Sequence, residues 1–165
     1  GFMGKTERII TVEDTEEIIV DAPNRVSLIA PNVRREAHAQ AVSLGFLIRT
    51  TLRMNPDRIV VGEIRDAEAG GAFLQAINTG HNGCASTIHA NSPEDALIRL
   101  QNLLGTSGLP LEFVASQVRS NLHVVVQLAK IPGHGRLVSA IAEMEDGQLN
   151  DRWRFDLSSR THLQV

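Results

Sequence analysis

Pro56-Asp57-Arg58-Ile59-Val60-Val61-Gly62-Glu63-Ile64-Arg65-Asp66 is the stretch that decides the fold. Ile59, Val60 and Val61 are consecutive, β-branched and flanked by turn formers, which reads as a strand buried on both faces. Strands of that kind belong to parallel sheets, and an open α/β sheet makes its ligand crevice at the carboxyl ends of its strands. Glu63 stands at that end. Alternation puts it on the face of Val61 and Ile59, while Gly62 leaves its own side open. A carboxylate just past a strand is most often merely solvated. Two other segments tip the balance towards function.

The first is Arg8–Glu13, a strand candidate that also ends in acid: Glu13 and Asp14, then Glu16 and Glu17. The latter pair reads as a solvated turn, whereas Glu13 and Asp14 sit where a metal or water could be held. The second runs from Gly80 to His89 (Gly-His-Asn-Gly-Cys-Ala-Ser-Thr-Ile-His), a polar turn leading into a short strand. On alternation Ala85, Thr87 and His89 share one face, and Cys84, Ser86 and Ile88 the other. A zinc site of His81, Cys84 and His89 is disfavoured because Cys84 then points away from His89. Hydrogen bonding of an anionic ligand by the two histidines fits better.

Between these segments the periodicity turns helical. Gln40–Met54 carries an apolar stripe through Leu44, Leu47, Ile48 and Leu52. Asp66 caps a helix reaching Thr79, with Gly80 as its stop. Ser92, Pro93 and Asp95 open another that ends at Gly105, and Leu111–Leu122 is a fourth. Arg25–Ile29 is a further strand candidate and Ala30–Ala39 a loop. Beyond residue 122 the pattern becomes a meander. Its strands are His123–Leu128, Arg136–Met144 and Trp153–Leu157, separated by Gly-rich turns, and Ser158–Val165 is expected to be a frayed end. The fold class is therefore α/β: a mostly parallel sheet flanked by helices, with a C-terminal antiparallel meander.

Composition narrows the function. A chain of 165 residues, 42% hydrophobic, supports one soluble domain with a core. A net charge of −3 argues against sequence-independent nucleic-acid binding, and no direct nucleic-acid site is evident. No apolar run approaches the ~20 residues of a membrane span. A single cysteine fits a reducing compartment. Two of the 16 basic residues are lysines, Lys5 and Lys130. Gly4-Lys5-Thr6 has the ending of a phosphate loop but fails its spacing, since no glycine stands five positions earlier and a strand, not a helix, follows. From the residues alone the reading is a nucleotide-like ligand at the rim of an α/β sheet, where carboxylates hold Mg²⁺ through water or orient an attacking water.

Leu52–Arg65, together with Gly80-His81-Asn82-Gly83 and Ser86–Pro93, resembles the secretion ATPase superfamily, whose members drive type II and type IV secretion and build type IV and Tad pili. The likeness is greatest to the type IV secretion and Tad branch. Arg8–Thr15 resembles its acidic "Asp box", residues 56–65 its Walker B and residues 80–89 its "His box". The resemblance implies a RecA-like ATPase using ATP and Mg²⁺. Glu63 and Glu13 would be catalytic and would hold Mg²⁺ through water. His81, His89 and Thr87 would sense phosphate, with Gly62, Arg65 and Asp14 in support. It further implies a cytoplasmic homo-hexamer docked on inner-membrane secretion or pilus platform proteins. A non-hydrolysing assembly module of the same machinery is the alternative.

Departures from the family pattern carry expectations too. The family's Walker A loop and arginine-supplying N-terminal domain would precede the Asp box. Residues 1–165 are thus expected to be a C-terminal part of the ATPase domain: core to about 122, antiparallel strands at about 123–157, and a tail. Ser27–Pro31 also lacks an arginine often found after this strand in relatives. The 165 residues alone are expected to bind ATP weakly and turn it over negligibly.

Overall fold

The fold is described for residues 4, 6–30, 42–81, 83–156, 158–159 and 161–164 of a computed structural model, with His162 described by its backbone alone. Contacts divide the chain into two compact units, Gly1–Ile88 and His89–Val165.

In the first unit four strands form a wholly parallel sheet. They are β1 (Ile9–Glu13), β2 (Arg25–Ile29), β3 (Arg58–Val61) and β4 (Ala85–Ser86), in the order β2-β1-β3-β4. Every residue of β1 is buried, glutamate included. In β3 only Ile59 and Val61 are buried, while Val60 is half-exposed. The strand covered on both faces is therefore β1 and not β3, a correction to the reading of the Ile59–Val61 run. In-register pairing of Val12 with Val61 and of Val61 with Ser86 brings the carboxyl ends of β1, β3 and β4 to one edge.

Helices α1 (Leu44–Thr51) and α2 (Ala67–Asn78) pack on each other, and α1 also lies on β1 and β3. Ser43 opens α1 by accepting from the Phe46 N–H at 3.0 Å, and Asp66 opens α2 by accepting from the Ala69 N–H at 2.8 Å. Each cap satisfies one of the donors that a helix start leaves unpaired. The helix expected over Gln40–Met54 is shorter, since the chain turns at Leu52–Met54 and Asn55 takes a positive φ of 51°. Its first two positions, and residues 31–39 of the expected loop, lie outside the described residues.

In the second unit α3 (Pro93–Gly105) and α4 (Leu111–Asn121) pack together, and α3 rests on β5 (Val124–Ile131) and β6 (Gly135–Glu145). Those strands continue into β7 (Gln148–Asp156) and β8 (Thr161–Gln164), an antiparallel sheet in the order β5-β6-β7-β8. β7 begins five residues before the expected strand. Asp146 (φ 49°) and Gly147 (φ 73°) make a two-residue hairpin turn, so pairing resumes at once with Gln148 opposite Glu145. The expected frayed end is also corrected, because Thr161–Gln164 pairs with β7 and gains ladder hydrogen bonds.

Candidate functional site

The chemistry gathers at the carboxyl edge of the parallel sheet. Glu13, the last residue of β1, is 2% exposed. Its Oε1 accepts the backbone N–H groups of Glu17 (3.0 Å) and Ile18 (2.9 Å), folding the acidic loop back over the strand end. Its Oε2 is buried with no hydrogen-bond partner among the described residues. Burying a carboxylate oxygen unpaired is costly, and this atom has room in its hydrogen-bonding capacity for a further donor or, through water, a cation.

Gly62 continues β3 against Glu13. Its N–H donates to the Val12 carbonyl at 2.9 Å, and a Cβ on it would lie 3.2 Å from Glu13 Cγ. Glycine here lets the two strand ends close up. Glu63 follows, its side chain 15% exposed. Arg65 directs Nε (2.8 Å) and Nη2 (2.7 Å) at Glu63 Oε2, and Nη1 donates to Asp14 Oδ2 at 2.6 Å. Glu63, with Asp14 behind it, holds the Arg65 guanidinium above its ordinary range. Thr87, just past β4, closes the edge: its hydroxyl donates to the Gly62 carbonyl at 2.6 Å, and its own carbonyl accepts from the Ile64 N–H at 3.0 Å. A hydroxyl has one proton to give. In this arrangement Thr87 ties down the backbone beside Glu63, rather than presenting a donor to phosphate as expected.

His81 is not on this edge. A helix of 12 residues, α2, leads away from Glu63 for about 18 Å, and the chain then enters β4 at the opposite, amino-terminal edge of the sheet. There Nδ1 of His81 meets the Ala76 carbonyl (3.1 Å) and Thr79 Oγ1 (3.2 Å), closing the end of α2. A Cβ on Gly83 would overlap the guanidinium of Arg58, the first residue of β3, which marks the same edge. His81 and Glu63 therefore lie at different edges, because a parallel sheet sends the residues before a strand and those after it to opposite edges. His89 opens the second unit, where it lines a cleft of about 510 Å³ with Asn91, Asp95, Arg99 and Asn102.

Cys84 does not have the character of a zinc ligand. Its Sγ donates to the His81 carbonyl at 3.1 Å, and burial pushes the thiol above its usual range. A raised value means less thiolate at pH 8. Iodoacetamide at that pH should label the folded protein several-fold more slowly than the same chain in guanidinium. Faster labelling of the folded protein would refute this environment.

Among the described residues no three His, Cys, Asp or Glu side chains converge as a protein-built metal cage. Glu13 and Glu63 suit a different ion, one held by one or two carboxylates with water and substrate phosphates completing its shell, as Mg²⁺ is. The unpartnered Glu13 Oε2 fits that donor set. The tie between Arg65 and Asp14 had no local sequence signal, since the two lie 51 positions apart.

A parallel sheet with paired carboxylates past its strand ends, and helices carrying the chain between strands, defines a RecA-like α/β protein. A sequence model of the family described as type II/IV secretion system protein matches residues 1–148. The chain is 34% identical over 148 residues to the conjugal transfer protein TrbB of Rhizobium radiobacter, covering 90% of this chain and 42% of that protein. It superposes on the crystal structure of the VirB11 ATPase of the Brucella suis type IV secretion system, determined with sulphate. That match has a TM-score of 0.74 and 29% identity, over 86% of this chain and 41% of that one. The pilus retraction motor PilT, solved with bound ADP, gives a TM-score of 0.58 at 28% identity, over 82% and 37% of the two chains. This chain belongs to the type II/IV secretion ATPase family. It spans less than half the length of the relatives it matches. No described helix is long and apolar enough to cross a membrane.

Proposed function

We propose that these residues form part of a motor ATPase that hydrolyses ATP to power type IV secretion or pilus assembly. The observation that carries this reading is the acidic carboxyl edge of the sheet, where Glu13 ends β1 beside Gly62 and Arg65 ties Glu63 to Asp14, in a member of a family that includes an ATPase and a motor solved with ADP. Glu63 orients the attacking water and accepts its proton as the water oxygen bonds to the γ-phosphorus and ADP leaves. Glu13, buried and fixed by two backbone donors, supplies the second carboxylate through Oε2. Bound Mg²⁺ would neutralise phosphate charge, held through water by Glu13 and Glu63. His89 is the phosphate-sensing candidate that remains once His81 is assigned to the end of α2.

The working form is a cytoplasmic homo-hexamer, with nucleotide between protomers, docked on the inner-membrane secretion or pilus platform. The 165 residues alone, less than half of their relatives' length, bind ATP weakly and turn it over negligibly. The test is phosphate release by the full-length protein given Mg²⁺ and ATP. Saturable release supports the motor. A rate no higher than that of the buffer leaves the assembly-module reading in its place.

A further inference from the structure

Arg65 contributes more to the edge than charge balance. Its planar fork reaches two carboxylates delivered by different strands: Asp14 after β1 and Glu63 after β3. Nε and Nη2 both address the same oxygen, Glu63 Oε2, while Nη1 takes Asp14 Oδ2. A guanidinium presents its donors in a fixed plane, so the two contacts to Oε2, with the third anchoring the fork on Asp14, fix where that oxygen of Glu63 lies. Arg65 is itself 61% exposed, and ion pairs at that exposure add little to fold stability. What the fork supplies is orientation.

We propose that Arg65 is a positioning residue for the Glu63 carboxylate and that Asp14 acts through Arg65. The inference rests on the assignment of Glu63 as the residue that orients the attacking water. Three further features confine the arrangement. Gly62 is pressed against Glu13, Thr87 holds the Gly62 carbonyl, and the Ile64 N–H is bound to Thr87. The backbone on both sides of Glu63 is held, and Arg65 adds a restraint on the Glu63 side chain itself.

The experiment compares Arg65→Gln, Arg65→Lys, Asp14→Asn and the Asp14→Asn/Arg65→Gln double variant in the full-length protein. Its readouts are kcat, KM for ATP, Kd for a fluorescent ATP analogue, and Tm. Arg65→Gln should lower kcat about 10- to 100-fold, the cost of an ångström-scale misplacement, with KM, Kd and Tm at wild-type values. Arg65→Lys keeps the charge without the fork and should recover only part of the rate. Asp14→Asn should fall between wild type and Arg65→Gln, and the double variant should be no slower than Arg65→Gln alone. A wild-type kcat in Arg65→Gln overturns the proposal. So does a Tm that falls together with kcat, or a double variant whose losses multiply. Glu63→Gln measured alongside separates the two levels. If that variant keeps its turnover, the assignment of Glu63 fails; if it is inactive while Arg65→Gln is normal, only the role of Arg65 fails.

Discussion

Glu63→Gln in the full-length protein should lower ATP turnover by about 10²- to 10⁴-fold, the range lost when a positioned general base is removed, and should leave ATP affinity near wild type. The substitution keeps the volume and shape of a side chain that is 15% exposed. Its amide oxygen can still accept from Arg65, so the bridge to Asp14 survives and the fold is not disturbed. What disappears is the negative charge and the ability to take the proton from water. Affinity is retained because positioning the water matters in the transition state and not in the ground state. Single-turnover kinetics with labelled ATP, beside equilibrium binding of the same nucleotide, check both halves. Unchanged turnover removes Glu63 from the chemistry. Loss of binding in parallel with turnover would instead make Glu63 a ground-state ligand of the nucleotide or its cation.

What could be read in the sequence was mostly local. The strand at Ile9–Glu13, the caps at Asp66 and Ser92 and the Gly-rich turns of the meander each carry their signal within a few residues, and all fall where the chain predicts them. The acidic edge was legible for the same reason, since a carboxylate directly after a buried strand points to the carboxyl end of the sheet. The separation of His81 from His89 is not legible in the 80–89 run, which reads as one continuous stretch. Two residues of β4 separate its halves, and a strand, however short, carries its flanks to opposite edges. The bond from the Thr87 hydroxyl to the Gly62 carbonyl was not legible, because nothing local says that the two segments meet. β8 escaped because its sequence, Thr161–Gln164, is ordinary, and only pairing with β7 makes it a strand. The close approach of α1 to α2 escaped as well. Gly45 lies inside the helical pattern as an apparent weakness, and its use appears only when its neighbour across the interface is known.

That neighbour yields the second large effect. Gly45→Leu should destabilise the protein by about 3 kcal/mol, the upper part of the range for overpacking a tight contact. A glycine inside a helix normally costs about 1 kcal/mol relative to alanine, so filling it should help. At Gly45 the sign reverses. An added Cβ would meet Glu68 Cγ at 2.6 Å and the Glu68 backbone carbonyl carbon at 2.9 Å. The side-chain contact alone could be relieved by a rotation, although Arg49 and Ser43 restrain it, holding the Glu68 carboxyl below its usual range. The backbone contact cannot be relieved that way, because Glu68 lies in the first turn of α2, whose start is pinned by the Asp66 cap. The helices must separate, and α1 would lift from β1 and β3 beneath it. Gly71→Ala, at an exposed position inside α2, is the control, and it should move stability the other way by about 1 kcal/mol. Thermal unfolding of the two variants should diverge in opposite directions from wild type, by about 2–4 °C for each kcal/mol in a chain of this size. If Gly45→Leu melts with or above wild type, α1 and α2 do not cross at this separation. The floor under the strand ends that carry Glu13 and Glu63 would then have to be built some other way.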